Sequence, residues 1–312
     1  MSTQLHQLDR LLDAREAEPD LGFMTRLMML CSLPRTDPGT RTYYKRINGP
    51  YQLYIQAGPK TKLPYGSLPR LLLAWLCTEA VQTQSRDLVL GRSLTQFMGK
   101  LGMKPLGAGR TRLRNQMIRL FNASVRLFYE GEEGEAMMGS MVASRAELWW
   151  NAKRPDEPAL WESTVRLGEE LFQEIIRNPV PIDMNTLKAL RRSPLGLDLY
   201  LWLTYRIFSL KQPIRLSWKR LYIQFGADPA KAKDRDVVSA FRKKCLRELK
   251  KIHLVWPELN YTTAKGVLVL FPSKPVITAK EDSVFVLSVL SGTALASKLC
   301  TVACDFEEFS YT

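Results

Sequence analysis

Histidine is almost absent from this sequence, which has only His6 and His253 among its 312 residues. Two histidines so far apart do not form the closely spaced ligand pair of a zinc site. Cys300 and Cys304 have a ligand-like spacing, but no second cysteine pair accompanies them. We therefore predict no metal site, and we expect His253 to lie in a hairpin or at a sheet edge.

Cysteine is also scarce, with five residues scattered along the chain. An odd number at wide spacing fits free thiols in a reducing compartment better than a disulfide framework. The acidic N-terminus lacks the basic and apolar regions of an export signal, so we expect a cytoplasmic protein. The sequence contains no GxxxxGK[ST] motif, so neither ATP hydrolysis nor a cofactor is predicted.

A long uninterrupted apolar run is missing as well. Residues 284–304 are largely apolar, but serine, threonine and Lys298 interrupt them. A membrane-spanning helix needs about 20 apolar residues in succession. We therefore expect a packed or partner-binding tail here, and keep peripheral membrane binding as an alternative.

Basic residues are abundant and unevenly distributed. The chain has 45 lysines and arginines against 31 acids, a formal charge of +14. Both ends are acidic, whereas residues 88–129 contain eight bases and no acid, and residues 206–251 contain fourteen bases against four acids. Two basic blocks of this kind indicate a polyanionic partner, either nucleic acid or an anionic membrane surface.

The two basic blocks fall within an internal duplication. Two segments align without gaps, and they share apolar positions, a leading serine and a closing glycine. In the first copy these positions are Ser93, Leu94, Phe97, Leu101, Gly102, Leu113, Met117, Phe121 and Val125. In the second they are Ser217, Trp218, Leu221, Phe225, Gly226, Val237, Phe241, Cys245 and Leu249. A shared fold explains this agreement better than the general likeness of amphipathic helices.

Each copy is predicted to contain three helices. The core helices, about 68–82 and 194–210, are opened by Ser67 and Ser193, the latter followed by a proline at the first helical position. Short amphipathic helices follow, each with a serine N-cap and a glycine stop in the left-handed conformation. Longer helices come next, about 110–122 and 234–252.

A β-hairpin is expected after the third helix of each copy. In the first copy, strands at 123–129 and 141–150 flank a turn rich in glycine and glutamate. In the second, 253–256 and 267–271 flank a loop that contains Pro257 and Gly266. The predicted fold is therefore α+β and mainly helical, with two tandem winged-helix domains related by duplication.

The longer helix of each copy carries an apolar stripe opposite a basic face. Such a helix can pack on its domain and enter the DNA major groove, where arginine suits guanine and asparagine or glutamine suits adenine. The first helix offers this mixed chemistry, whereas the second offers mostly lysine for phosphates. A solvated basic face is the alternative, but its recurrence in both copies favours DNA contact.

The residues predicted to contact DNA are Arg110, Arg112, Arg114, Asn115, Gln116, Arg119, Lys231, Lys233, Arg235, Arg242, Lys243, Lys244, Arg247, Lys250 and Lys251.

The sequence resembles the plasmid-encoded RepA-type replication initiators. The resemblance is carried by residues 65–76 (YGSLPRLLLAWL), 91–102 (GRSLTQFMGKLG), 114–121 (RNQMIRLF) and 194–203 (PLGLDLYLWL), and continues to about residue 275. It implies binding to repeated double-stranded sites of a replication origin, opening of an adjacent AT-rich region and recruitment of the host initiator and replicative helicase machinery. Such proteins often repress their own gene and dimerise.

No enzymatic activity is predicted. A rolling-circle nuclease needs a closely spaced histidine pair, and a tyrosine recombinase needs a histidine among arginines; neither pattern occurs in this chain. A winged-helix transcriptional regulator without a role in replication remains an alternative, because no residue type separates the two functions. We expect an N-terminal extension (1–39), two winged-helix domains (40–165 and 168–276) and a tail (277–312).

Overall fold

The computed structural model describes residues 2–132, 134–151, 154 and 156–277. Its helices are α1 (Ser2–Glu16), α2 (Arg26–Leu30), α3 (Ser67–Thr83), α4 (Leu94–Lys100), α5 (Gly107–Phe121), α6 (Glu169–Arg177), α7 (Met184–Leu190), α8 (Pro194–Ser209), α9 (Trp218–Phe225) and α10 (Arg235–Val255), with a 3₁₀ turn at Pro229–Lys233. The predicted tail lies outside the described residues apart from Ile277.

Twelve strands form four antiparallel sheets in the described part of the chain. They are β1 (Leu21–Thr25), β2 (Tyr43–Asn48), β3 (Tyr51–Gln56), β4 (Asp87–Gly91), β5 (Ser124–Gly131), β6 (Gly134–Met141), β7 (Ala143–Glu147), β8 (Ser163–Leu167), β9 (Pro179–Asp183), β10 (Ile214–Ser217), β11 (Tyr261–Ala264) and β12 (Val267–Leu270). The strand orders are β1-β9, β2-β3-β5-β6, β4-β8-β7 and β10-β12-β11. With 45% helix and 24% strand, the fold is mixed α/β, and the expectation of a mainly helical protein holds only roughly.

Two parts of the chain share one order of elements. The first runs α3, β4, α4, α5, β7, β8, and the second runs α8, β10, α9, α10, β11, β12. The last strand of each copy is the central strand of its three-stranded sheet. In the first copy β8 pairs with β4 and β7, and in the second β12 pairs with β10 and β11. The two copies therefore agree in sheet arrangement as well as in helix order.

Serine residues set the start of several helices. The side chains of Ser93, Ser193 and Ser217 each accept a hydrogen bond from the backbone three residues later, satisfying an amide that the helix leaves unpaired. Gly102 closes the segment after α4 with φ +64°, as expected of a left-handed stop.

Two expected helix signals were wrong. Ser67 is the first helical residue of α3 rather than its N-cap, which is Gly66. Gly226 ends α9 with an extended backbone, φ −65° and ψ 164°, instead of the left-handed conformation. Its small size matters for a different reason, because an added Cβ would lie 2.3 Å from the carbonyl oxygen of Tyr222.

The hairpin expected after the third helix of the first copy was also wrong. Strand β5 pairs with the next strand, β6, and together they join β2 and β3 in the four-stranded sheet. The two strands equivalent to β11 and β12 are β7 and β8, separated by residues 148–162. A hairpin is therefore inserted in the first copy, and the local β pattern could not show which strands would pair.

The segment 253–256, expected to be a strand, instead completes α10 and its cap. His253 lies in the last turn of the helix, with its ring 5.9 Å from that of Tyr261 in β11. The hairpin then turns tightly at Gly266, whose φ is +77°. The apolar run from Leu249 onward is compatible with either structure, and packing of Ile252 and Val255 in the core favours the helix.

The aligned apolar positions agree up to Phe121 and Cys245, both of which are buried in helices. At the next pair they diverge in structure, since Val125 lies in β5 and Leu249 lies in α10. Both side chains are buried. The shared pattern therefore reflects shared burial at these two positions rather than a shared backbone.

Buried polar contacts join the two copies. The guanidinium of Arg70 in α3 binds both carboxylate oxygens of Asp198 in α8, at 2.6 and 2.8 Å, and both side chains are at most 4% exposed. Its other N–H groups donate to the carbonyl oxygens of Leu33, Pro34 and Gly66. A buried ion pair with every donor satisfied costs little and holds two helices in one arrangement.

The N-terminal segment also spans both copies. Strand β1 packs on α3 and pairs with β9, and helix α1 lies against α7 and α10. The buried residues form one continuous hydrophobic core that runs from Leu11 to Leu270. Among the described helices, none is long and apolar enough to cross a membrane.

Candidate nucleic-acid interface

Helix α5 presents a polar face opposite the core. Leu113, Met117 and Leu120 are completely buried, whereas Arg112 and Asn115 are exposed. At 3.6 residues per turn these two sets fall on opposite sides of the helix. The structure thus exposes a donor-bearing face, as the sequence pattern indicated for these residues.

Gln116 does not belong to that face, and the expectation that it projects outward was wrong. Its side chain is buried, and its amide oxygen accepts a hydrogen bond of 2.9 Å from the backbone N–H of Tyr65. Gln116 borders the apolar stripe formed by Leu113 and Met117, and the segment before α3 covers this border. Only the path of that distant segment decides whether the side chain is covered.

Arg119 is half-buried and held by the same segment. Its guanidinium lies 5.2 Å above the ring of Tyr65, and Nη1 donates to the carbonyl oxygen of Leu63 at 3.3 Å. Stacking on an aromatic ring orients a planar guanidinium while leaving its other N–H groups free to donate. Arg119 is therefore fixed in direction at the C-terminal end of α5.

Arg110 is held at the other end of α5. Its Nη2 lies 3.0 Å from both carboxylate oxygens of Asp156, in the connection between β7 and β8. Thr95 of α4 donates to the same carboxylate at 2.6 Å. Asp156 thus joins the connection to both helices and offsets the charge of Arg110.

The remaining basic residues of α5 are less restrained. Arg112 is exposed, and its Nε donates to the carbonyl oxygen of Ala108 at 3.1 Å, one turn earlier. Arg114 is partly exposed. Neither has an acidic partner among the ion pairs of the described residues, so both keep a net positive charge at this surface.

Helix α10 presents a longer basic face. Its N-cap is Asp234, whose carboxylate accepts from the backbone N–H groups of Asp236 and Val237. Phe241, Cys245 and Leu249 mark the buried side. The exposed basic residues are Arg235, Arg242, Lys243, Lys244, Arg247 and Lys250 on the helix, with Lys231 and Lys233 in the preceding 3₁₀ turn.

One buried acid modifies the end of this face. Glu248 is 2% exposed, and Nζ of Lys251 lies 3.0 Å from both of its carboxylate oxygens. Arg247 approaches the same carboxylate at 3.4 Å. Lys251 is therefore largely neutralised, whereas Arg247 remains exposed and only weakly paired. Arg242 lies on the other side, with its guanidinium 5.7 Å above the ring of Trp218.

The cysteines of the described residues are buried thiols. Burial raises the pKa of the thiols of Cys31, Cys77 and Cys245 to about 12, so these cysteines remain protonated at neutral pH. Within the same residues, no cluster of three potential metal ligands occurs.

The family model described as "Plasmid encoded RepA protein" matches residues 63–219, half of the chain. The chain belongs to this family. The match confirms the resemblance found in the sequence, and it runs from the segment before α3 to the start of α9. It includes α5 with its basic face, whereas α10 lies beyond the matched residues.

Two solved structures of RctB are similar to this plasmid RepA-family protein. One, a selenomethionine derivative of RctB domains 2 and 3, has a TM-score of 0.54 at 14% identity and covers 81% of this chain and 97% of its own. The other, RctB domains 2-3, has a TM-score of 0.48 at 14% identity and covers 79% and 96%. The first likeness concerns the fold alone. No curated protein sequence matches the chain.

Proposed function

We propose that this protein initiates plasmid replication by binding repeated double-stranded sites of an origin through two winged-helix units. One observation carries the proposal: both copies have the same helix and sheet order, and the third helix of each, α5 or α10, exposes a basic face opposite a buried one. A winged helix places this helix in the major groove and its strand connection beside the backbone.

The two units would contribute differently to DNA binding, one mainly through base contacts and the other mainly through phosphate contacts. In α5, the exposed Asn115 and the oriented Arg119 can pair with base edges, while Arg110, Arg112 and Arg114 contact the backbone. In α10 and the preceding 3₁₀ turn, five of the eight exposed basic residues are lysines, and lysine binds phosphate as a point charge. The first unit therefore supplies most of the specificity, and the second supplies affinity that depends strongly on salt.

The stretch 156–162, in the connection between β7 and β8, would serve as the wing of the first unit. It exposes Leu160 and Trp161 at 82% and 64%, and Asp156 anchors it to α4 and α5. The shorter turn at Lys265 and Gly266 would serve the second unit. Apolar side chains on a wing can contact sugars in the minor groove, where donor patterns carry little sequence information.

The contacts between the copies support recognition of paired sites. The Arg70–Asp198 pair and the β1-β9 sheet tie both units into one body. If α5 and α10 of one molecule both enter the major groove, their binding sites must lie at a fixed separation. Tandem repeats of about two turns of the DNA duplex meet this requirement. Family membership further supports origin opening, recruitment of the host initiator and helicase machinery, a homodimeric form and a cytoplasmic location.

Footprinting of the full chain on the DNA that flanks its own gene tests this proposal. We expect protection of tandem repeats at regular spacing, beside an AT-rich segment. A plasmid that carries this DNA should replicate only when the protein is supplied. Protection without support of replication would identify a transcriptional regulator instead, and the absence of any preferred site would contradict specific binding.

A further inference from the structure

One face of the four-stranded sheet packs on the hydrophobic core. Among the described elements, none covers the opposite, outer face as part of that core. The strands of this sheet place alternate residues outward, and those of β2, β3 and β5 line an open cleft of about 310 Å³. The cleft is lined by Tyr43, Gln52, Tyr54, Ile55, Gln56, Ser124, Arg126, Phe128 and Glu130. The opposite face of the sheet carries Leu53 and Val125 into the core.

Aromatic rings and cations alternate across this face. Tyr54 stands opposite Lys45 on one side and Arg126 on the other, in the register of three adjacent strands. The ring of Phe128 meets that of Tyr54 edge to face at 5.4 Å, and Tyr43 is 65% exposed. Aromatic rings beside cations on an open sheet form a surface on which unpaired bases can stack.

Charge is polarised along the strands. At the Tyr43 end, five basic residues are exposed, whereas Glu130 and Glu135 stand opposite each other at the other end. The exposed bases are Arg41, Lys45, Lys60, Lys62 and Arg126. A phosphate backbone would therefore cross the sheet at the basic end, beside the rings, and avoid the acidic turn.

The loop that carries Lys60 and Lys62 leads from β3 to α3 and packs against the end of α5. The N–H of Ala57 donates to the carbonyl oxygen of Thr42 at 2.7 Å, extending the β2-β3 ladder past Tyr43. Gly58 then packs so closely on Asn122, at the end of α5, that an added Cβ would lie 2.3 Å from its carbonyl oxygen. The basic end of the outer sheet face therefore lies next to the C-terminal end of α5, the helix proposed to enter the major groove.

We infer that this face binds single-stranded DNA. A duplex cannot use it in the same way, because paired bases are stacked inside the helix and offer no free face to Tyr54 or Phe128. The ammonium of Lys45 lies 5.0 Å above the Tyr54 ring, in the place a base would take. Its flexible stem allows it to move to a phosphate when a base stacks. The choice of DNA over RNA rests on the proposed function.

Binding of a fluorescein-labelled oligothymidylate of about 12 nucleotides to the full chain, followed by anisotropy at low salt, tests the inference. We expect Tyr54→Leu to weaken binding by about tenfold and Tyr43→Ala by a few-fold, because each removes a stacking surface. Tyr54→Phe keeps the ring and should stay within about twofold of the parent. Phe208→Ala, which removes an exposed aromatic ring from α8, is the matched control and should leave binding unchanged.

The same variants are measured with the origin-flanking duplex. Weaker oligothymidylate binding with unchanged duplex binding supports a separate single-strand surface. If the parent binds the duplex but not the oligothymidylate, or if Tyr54→Leu and Tyr43→Ala both bind the oligothymidylate normally, the inference is overturned and the proposed function stands. If the parent binds neither DNA, both are overturned. Tyr43 is mostly exposed, so Tyr43→Ala should fold normally. Weaker binding by this variant could therefore not be explained by misfolding, even if Tyr54→Leu were destabilised.

Discussion

Helices α5 and α10 hold equivalent places in the two copies but differ in how their basic residues are held. In α5, contacts with Asp156 and Tyr65 fix the arginines at both ends. In α10, Arg242 lies over the ring of Trp218 and Glu248 pairs with the end of the face, but Lys243 and Lys244 between them are exposed. Restrained arginines favour base selection, whereas free lysines favour non-specific attraction. Four changes would break or sharpen this comparison.

The largest expected effect comes from breaking the buried ion pair between Arg70 and Asp198, which joins the two copies. Asp198→Ala should lower the free energy of unfolding by about 3–5 kcal/mol, because Arg70 would keep its charge in the core without a partner. Urea denaturation followed by circular dichroism measures this loss. The double variant Arg70→Met, Asp198→Leu is the control and should recover much of it. An unchanged midpoint for Asp198→Ala would mean that the two copies do not depend on this pair.

The second change removes charge from α10. Replacing Lys243, Lys244 and Arg247 with alanine should weaken binding to related and unrelated duplexes alike by about tenfold or more, and reduce the slope of log K against log salt by about 3. Anisotropy at several salt concentrations gives both values. Lys243→Arg with Lys244→Arg keeps the charge and should preserve the slope. If the alanine variant kept the parent's slope, α10 would not contact phosphates.

The third change concerns base selection by α5. Arg119→Ala should relax discrimination at one base pair by about 1–3 kcal/mol, with smaller effects at other positions. Competition with single-substituted duplexes measures it. Arg119→Lys should not restore selectivity, because lysine lacks the planar fork that stacks on Tyr65. A uniform loss over all sequences would show that Arg119 only supports the segment around Leu63.

The smallest expected effect concerns the acid beside α5. Asp156→Asn should strengthen duplex binding by a few-fold, since Arg110 would no longer be paired, and an exposed ion pair holds it by only about 1 kcal/mol or less. Asparagine keeps an oxygen that can accept from Thr95, so the connection should stay in place. Weaker binding would mean that Asp156 positions Arg110 for DNA instead of competing with it.

Local signals in the sequence correctly indicated the helices of both copies. Ser93, Ser193 and Ser217 cap the predicted helices because a serine oxygen satisfies an amide within three residues, and this needs no distant partner. The buried stripes of α5 and α10 also follow from spacing alone. Assignment of the copies as winged helices and the residues that contact DNA remain predictions.

Signals that depend on distant partners were missed. Residues 130–139 were expected to form the turn of the first copy's hairpin, but most of them belong to β6, and β5 and β6 join the sheet of β2 and β3. Gln116 looked exposed until the segment at Tyr65 covered it. No local pattern predicted that β1 pairs with β9, or that Arg70 forms an ion pair with Asp198, more than a hundred residues away. The outer sheet face also arises only when three separated strands align Lys45, Tyr54 and Arg126.

The sequence alone therefore determined the basic character of this protein, its duplicated helical pattern and its family, since charge, helix periodicity and caps are encoded within short stretches. The tertiary structure decided which strands pair, which polar side chains of α5 remain exposed, and how the two copies are joined. Those outcomes depend on burial and hydrogen bonding between segments far apart in the chain, and the energies involved exist only once the segments meet.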